Sequence, residues 1–279
     1  MKIPILTLIP SAYRTGNVYS VLPVNGDGDF DFSRDSNGTR VQENGLIENK
    51  INNVPRLDWL NSNCPSLLLE PQRTNLITYS EDFTQWIDVG VTVTPDYTVS
   101  PFGNNSGSKL TSTANNWRRA IFINTVSGTS NTVSVYVKRD SSTNTVSARI
   151  EVAPGGSGVA SSFNLSTGTI TGNLVNPFII DVGNGWHRIG GTYTSNQSSN
   201  IVYIYPSDGY SIAGTMFFWG AQAEQGSYPT SYIKTEGSIV TRLKDECING
   251  GSSDLFDITE GTIFVDAYIP NNSSTTIIS

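Results

Sequence analysis

Thr132-Val133-Ser134-Val135-Tyr136-Val137-Lys138 decides the fold. Its side chains alternate apolar with polar, the period of two that sends one set to each face of a strand, and valine and tyrosine favour extended backbone. The segment reads as a half-buried strand. Thr145 to Val152 and Ile201-Val202-Tyr203-Ile204-Tyr205 read the same way. Clusters of Ser, Gly, Asn and Pro separate such runs and no long segment keeps a helical period, so a β-sandwich of short strands is expected. Met216-Phe217-Phe218-Trp219 is apolar at consecutive positions, the mark of a strand buried on both faces. The best helical candidate is one turn at Ser80-Glu81-Asp82-Phe83, with Ser80 as its cap.

Composition agrees with an all-β chain. Charged residues make up 15%, against roughly 25% in an average soluble domain, and Ser, Thr, Asn and Gly fill the polar positions. With 279 residues the chain exceeds one typical domain, so one full domain with flanking pieces is expected. The net charge is −7, and the densest basic run, Trp117-Arg118-Arg119, is too short to track a phosphate backbone. Nucleic acid is therefore not an expected partner. Cys64 and Cys247 stand alone and far apart, which argues against a disulfide framework or a metal knuckle and reads as two buried thiols. Residues Met1 to Pro10 carry one positive charge and an apolar run broken by prolines, which is not the pattern of a signal peptide. No apolar run approaches the roughly 18 residues of a membrane helix, so no membrane insertion is expected.

Shifts in composition divide the chain into three. Residues 1 to 76 are rich in turns: Asn25-Gly26-Asp27-Gly28-Asp29 leads into Phe30-Asp31-Phe32, then come Asn37-Gly38 and Asn44-Gly45. Asn-Gly is the strongest short hairpin signal because both central residues of the favoured turn take positive φ. An arm of hairpins is expected here. Residues 77 to 235 read as the complete sandwich. Residues 236 to 279 read as a charged linker followed by a strand over Gly261–Ile269.

Several motifs, in order, resemble a known group. They are Asn53-Val54-Pro55-Arg56-Leu57-Asp58, Leu67-Leu68-Leu69-Glu70-Pro71-Gln72-Arg73-Thr74-Asn75-Leu76, Tyr79-Ser80-Glu81-Asp82-Phe83 with Trp86, Val133 to Lys138, Gly183-Asn184-Gly185-Trp186-His187-Arg188, and Trp219-Gly220-Ala221-Gln222 through Tyr228-Pro229-Thr230-Ser231-Tyr232-Ile233. The series, over roughly residues 40 to 245, resembles the head-spike and fibre proteins of tailed bacteriophages, whose central module is similar to the jelly-roll sandwiches of carbohydrate-binding modules. The resemblance implies a virion structural protein assembled in the host cytoplasm and commonly a homotrimer. Its N-terminal arm would anchor to other virion proteins, of capsid, neck or tail, and display a distal region that contacts the host. In many relatives that distal region resembles a concanavalin-type lectin sandwich, and Gly261–Ile269 is similar to how one begins. The alternative is a glycan-binding fibre or adhesion module that touches host surface glycans directly.

The residues carry readings of their own. Pro55 and Pro71 hold their neighbours extended. Arg73 is placed either to pair with Glu70 or to bridge backbone carbonyls, which suits its planar fork. Gly183-Asn184-Gly185 permits a tight turn that delivers Trp186 to the sandwich core, where Trp219 is also expected. His187, the single histidine, sits at a strand start with no Gly-x-Ser-x-Gly elbow to partner it, so no nucleophilic triad is expected. Glu151 and Glu224 lie on or beside strands without a glycosidase signature. The chain is expected not to be an enzyme, with a depolymerase as the third reading.

The Asn25–Asp29 turn resembles part of an EF-hand loop but lacks its terminal Glu and flanking helices, so a solvated hairpin is the better account. No cofactor is expected. A structural calcium follows only from the resemblance to carbohydrate-binding modules, and its ligands are unassigned. Glycan contact would fall to exposed aromatics beside Asn and Asp: Trp117, next to Asn115-Asn116 and Arg118, and Tyr205 with Asp208 and Tyr210. Core or subunit packing stays open for each of them.

Overall fold

The computed structural model describes residues 6–60, 63–113, 118–153, 158–209, 212–251, 255, 262 and 264–268. The arm carries β1 Tyr13–Arg14, β2 Asn17–Val18, β3 Phe30–Ser33, β4 Gly38–Val41, β5 Ile47–Lys50, β6 Leu57–Asp58, β7 Ser66–Leu67 and β8 Arg73–Asn75. Of the three Asn-Gly pairs, only Asn44-Gly45 turns a two-stranded hairpin, β4 with β5, where Gly45 takes φ +81°. Asn25-Gly26 lies in a longer connection between β2 and β3, and Asn37-Gly38 leads into β4, which does not pair with β3. The helical turn is a 3-10 turn at Phe83–Gln85 whose cap is Asp82, accepting from the Thr84 amide at 3.0 Å. Ser80 instead bonds the Tyr232 hydroxyl at 2.8 Å.

The sandwich follows with β9 Ile87–Val89, β10 Val91–Thr98, β11 Gly107–Ser112, β12 Arg118–Asn124, β13 Ser130–Arg139, β14 Ser147–Ala153, β15 Val159–Asn164, β16 Ile170–Gly172, β17 Val175–Asp181, β18 Trp186–Thr194, β19 Ser199–Tyr205 and β20 Gly214–Gln225. Two six-stranded sheets result, sheet A in the order β10-β11-β20-β13-β18-β17 and sheet B in the order β16-β15-β14-β19-β12-β9. Neighbouring strands are antiparallel and the chain switches sheets repeatedly. The strands β11-β20-β13-β18 facing β15-β14-β19-β12 are the arrangement of a jelly roll, so the fold is all-β as expected.

Alternation fills the space between the sheets. Val133, Val135 and Val137 from β13, Met216 and Phe218 from β20 and Ile189 from β18 meet Ile121, Ile150, Phe163, Val202 and Ile204 from sheet B. In β20 the alternation is reset at Gly220, which takes φ +60° where the register against β13 shifts between Ser134 and Tyr136. Phe218 and Ala221 therefore both face inward. A Cβ on Gly220 would also sit 3.0 Å from the Tyr136 ring, so glycine serves both the turn and the packing.

The outer face of sheet A is closed as well. Tyr136, Trp186, Phe217 and Trp219 form a second core with Ile47 of the arm, Val182 and Tyr232. Two expectations are corrected here. Residues 131–137 are buried on both faces rather than half-buried, because Arg188, the segment 226–232 and Ile47 of the arm cover their outer side. Trp186 and Trp219 are buried as expected, yet in this outer core and not between the sheets. Trp186 lies three positions from inward-facing Ile189, an odd spacing that reverses the face. Its indole donates to the Val99 carbonyl at 3.0 Å, and that of Trp219 to Ser106 Oγ at 2.9 Å.

After β20 the chain returns to the arm. β21 Val240–Arg242 pairs with β8, and β22 Glu246–Ile248 joins the sheet of β1, β2 and β3. A buried knot of charge fastens this return. Arg34 Nη1 lies 2.9 Å from Asp245 Oδ1, Arg56 binds the same carboxylate through Nη2, and Arg56 Nη1 lies 2.8 Å from Glu70 Oε2. Arg242 approaches Glu70 at 3.4 Å and Asp245 at 3.6 Å. Three guanidiniums face two carboxylates, and the carbonyls of Ser36, Lys50, Ile51 and Val54 take up the remaining donors of Arg34. Burial pushes the Glu70 carboxyl up, but Arg56, Arg242 and the Ser231 hydroxyl and amide outweigh it and hold it at about 2. Of the expected strand Gly261–Ile269, the described members Thr262 and 264–268 form no ladder, and the others lie outside the described residues.

Candidate functional site

Sheet B has the outer face that the arm does not pack on to form the second core. Strand alternation places Arg118, Ala120 and Phe122 of β12, Ile201, Tyr203 and Tyr205 of β19, Ser147, Arg149 and Glu151 of β14, and Ser162 and Asn164 of β15 there. Register sets their order, with Arg149 opposite Tyr205 on one side and Ser162 on the other, and Glu151 opposite Tyr203. Phe122 is 56% exposed, and Arg118, Arg149 and Tyr203 are half-buried.

The polar groups of this face are linked. The Arg118 guanidinium stacks 4.4 Å from the Tyr203 ring centroid, and its Nη1 is 3.5 Å from the Tyr205 hydroxyl. That hydroxyl donates to Glu151 Oε2 at 2.6 Å, and Arg149 Nε approaches the same oxygen at 3.9 Å. Arg149 Nη1 lies 3.5 Å from Ser162 Oγ, which donates to the Asp208 carbonyl at 3.0 Å. Beyond it lies a cleft of about 190 Å3 lined by Ser147, Ser162, Asn164, Thr167, Thr169, Thr171 and Asp208. Hydroxyls and one carboxylate dominate this lining, which suits a ligand dense in hydroxyl groups.

The structure brings together two of the residues singled out from sequence. Tyr205 and Asp208 belong to this face and its cleft, but Tyr205 is fully buried and cannot offer a ring for stacking. Its part is to orient Glu151. Tyr203, on the same face two residues earlier, is half-buried with its ring beneath Arg118, and sequence reading passed it over although the alternation marks both tyrosines equally. Trp117 and Tyr210 lie outside the described residues.

Arg73 does not meet Glu70. Side chains three apart in extended chain point to opposite faces, so Arg73 turns to Glu224 at 3.7 Å, stacks on Tyr228 at 5.3 Å and gives Nη1 to the Gln72 carbonyl, while Glu70 enters the charge knot. Glu224 is fully buried over sheet A, accepting from the Thr230 amide at 2.9 Å, Thr230 Oγ1 at 2.6 Å and Gln222 at 2.7 Å. Glu151 and Glu224 thus stand on opposite outer faces of the sandwich and do not flank one cleft.

His187 sits at the start of β18, in register with Val137 and Asp181. The thiols depart from expectation: Cys64 is exposed in the turn before β7, and Cys247 is half-buried in β22, where burial pushes it up to about 11. In the acidic turn Asp29 Oδ1 accepts from the Ser20 amide and hydroxyl, and Asn25 donates to Asp27. Among the described residues no three His, Cys, Asp or Glu side chains gather at metal-binding range.

No protein-family model and no curated protein matches the chain. Solved structures similar to it include the enzymatically active domain of tailspike protein 4 of bacteriophage CBA120, at 16% identity and TM-score 0.33 over 54% of this chain and 22% of that one. The CBM22-1 xylan-binding domain of Paenibacillus barcinonensis Xyn10C is similar at 17% identity and TM-score 0.35, over 56% of this chain and 97% of that one. The CBM22-1–GH10 modules of Clostridium thermocellum xylanase 10B are similar at 15% identity and TM-score 0.34, over 59% and 30%. The chain thus spans well under two thirds of the tailspike and xylanase chains. At identities and scores this low the likeness carries no functional conclusion.

Proposed function

We propose that the chain is a non-enzymatic saccharide-binding module of a phage-type fibre or spike, and that the outer face of sheet B takes the saccharide. One observation carries this. Of two outer faces built by the same alternation, one is closed by the arm and the segment around Tyr232, and the other presents a half-buried tyrosine, two arginines and a hydroxyl-lined cleft. Aromatic rings with a few directed polar groups are what a sugar ring requires of a surface. Screening the full chain against a broad glycan array tests the proposal. Selective binding that Tyr203→Ala weakens about tenfold, with stability lowered by no more than about 1 kcal/mol, is expected; silence across the array overturns it. No turnover of capsular polysaccharide is expected, since Glu151 and Glu224 lie on opposite faces where they cannot act across one bond.

A virion-anchoring role is the companion reading, and the buried charge knot supports it by fixing the arm rigidly on the sandwich. In this reading three copies display the module on the particle after assembly in the host cytoplasm. Labelled-antibody imaging of intact particles tests it: label at a fixed position on head, neck or tail is expected, and bare particles sink it.

A further inference from the structure

One member of the second core, Phe217, is covered by a single ring. Tyr97 lies parallel to it within 20°, with the centroids 5.7 Å apart. Tyr97 is also 52% exposed, so the face of its ring turned away from Phe217 meets solvent. This placement is built into the backbone. β10 takes four steps from Thr94 to Thr98 where β11 takes two from Lys109 to Gly107, and within this bulge Asp96 adopts φ +52°, a region that Asp and Asn enter more readily than most residues. Asn105 Nδ2 donates to the Asp96 carbonyl at 2.6 Å and pins the bulge. Extra residues bend a strand and re-aim its side chains, and here they lay Tyr97 of the edge strand over Phe217, two strands away. Polar groups stand beside the ring. Lys109 Nζ is 4.9 Å from its centroid and 3.0 Å from Asp140 Oδ2, and an ammonium with three N–H groups can donate to a hydroxyl without leaving that carboxylate. The exposed side chains of Asp96 and Asn105 complete the rim.

We infer that Tyr97 is a second saccharide platform, separate from the outer face of sheet B, and that it takes a neutral pyranose. A pyranose carries C–H groups on its faces and hydroxyls around its edge. A flat ring with hydrogen-bonding groups at its rim matches that shape, whereas a wholly apolar partner would leave Lys109 and Asp96 unanswered. Charge selects the neutral member, because Lys109 is offset by Asp140 and an acidic sugar would meet the like charge of Asp96. The platform belongs to sheet A and the earlier face to sheet B, so the two look out from opposite sides of the sandwich and one chain holds two separate saccharide strands. Neither site depends on the other.

Nitration of tyrosines by tetranitromethane, mapped by mass spectrometry on the full chain, tests both sites at once. The probes are maltotetraose, cellotetraose, chitotetraose and β-1,4-galactotetraose, with tetragalacturonate as the acidic control. At least one neutral probe should slow nitration of Tyr97 in step with its concentration, and tetragalacturonate should not. In a Tyr203→Ala background, Tyr97→Leu, which still covers Phe217 but offers no ring, should bind that probe about tenfold more weakly, and Tyr97→Phe should keep most of the affinity. Unchanged nitration of Tyr97 with every neutral probe, or unchanged binding in Tyr97→Leu, overturns the inference. Protection confined to Tyr203 overturns it and leaves the proposed function standing; protection confined to Tyr97 does the reverse. Slower nitration of Tyr97 on raising the protein concentration with no probe present would place a second copy of the chain on the ring and overturn the inference as well.

Discussion

The two outer faces of this sandwich begin from the same sequence pattern and end in opposite roles. On sheet A, Tyr136, Trp186 and Trp219 point outward from alternating strands and are 4% exposed or less, because the arm and Tyr232 lie over them. On sheet B, Arg118, Tyr203 and Phe122 point outward from strands of the same kind and keep contact with solvent. The Trp219 ring lies tilted 4.4 Å from Tyr232 and edge-on 5.3 Å from Tyr136, so three rings share one closed core. The difference teaches that burial of an aromatic in a sandwich is decided by what the rest of the chain lays on it. One face is thereby committed to stability and the other left available for chemistry.

The sharpest way to break the comparison is to remove a ring from the closed face. Trp219→Ala deletes one of the two tryptophans of that core together with its bond to Ser106, and should cost about 3–5 kcal/mol. A urea unfolding midpoint checks it, and a loss under about 1 kcal/mol would mean that the arm does not close the face. Asp245→Ala should cost a comparable amount, because it takes from Arg34 its carboxylate and leaves Arg56 and Arg242 to share Glu70 alone; breaking such a pair from one side costs about 3–5 kcal/mol. Here faster protease cleavage within residues 6–60 should accompany the loss, since the returning segment no longer holds the arm.

Acid should reach the same knot. The Glu70 carboxyl sits at about 2 in the fold, below its ordinary 4.5, so its contribution is complete above pH 4.5 and is lost as pH falls from there toward 2. The shift corresponds to stability on the order of 3 kcal/mol. Unfolding midpoints measured across that window should fall in the parent chain and stay flatter in Glu70→Gln, which begins lower at neutral pH. Parallel curves for the two proteins would show that Glu70 is not the group being titrated.

How much of this was legible in the sequence follows from the range of each interaction. Alternation in Thr132–Lys138 and Ile201–Tyr205 and the apolar run Met216–Trp219 gave strands where strands stand, since a period of two is a local property. The side on which a strand would be covered was not local. Tyr136 and Tyr203 look alike in their strands, and only the fold of the arm separates them. The knot was hidden for the same reason: Arg34 and Arg56 meet Asp245 across 211 and 189 residues, and nothing near any of them in sequence marks the partner. Of the two readings of Arg73, the pairing with Glu70 fails because extended chain at a spacing of three points the two side chains apart, while a backbone carbonyl, that of Gln72, does accept from it. At the candidate site Asp208 and Tyr205 were named and Tyr203 was missed, because exposure rather than residue type distinguishes the two rings.

The open face supplies the smallest expected effect, and the one most diagnostic of the contrast. Tyr203 touches Arg118 through a cation–π contact that, where partly exposed, is worth about 0.5–1 kcal/mol. The interior beneath it is filled by Val202 and Ile204, whose packing the substitution does not disturb. Tyr203→Ala and Arg118→Gln should therefore each lower stability by about 1 kcal/mol or less, with no additive loss when combined, because either one removes the same contact. A double-mutant cycle in urea measures this directly. If the pair instead costs as much as Trp219→Ala, then sheet B is closed by contacts of the same weight as sheet A, and its outer face has no surface to give to a ligand.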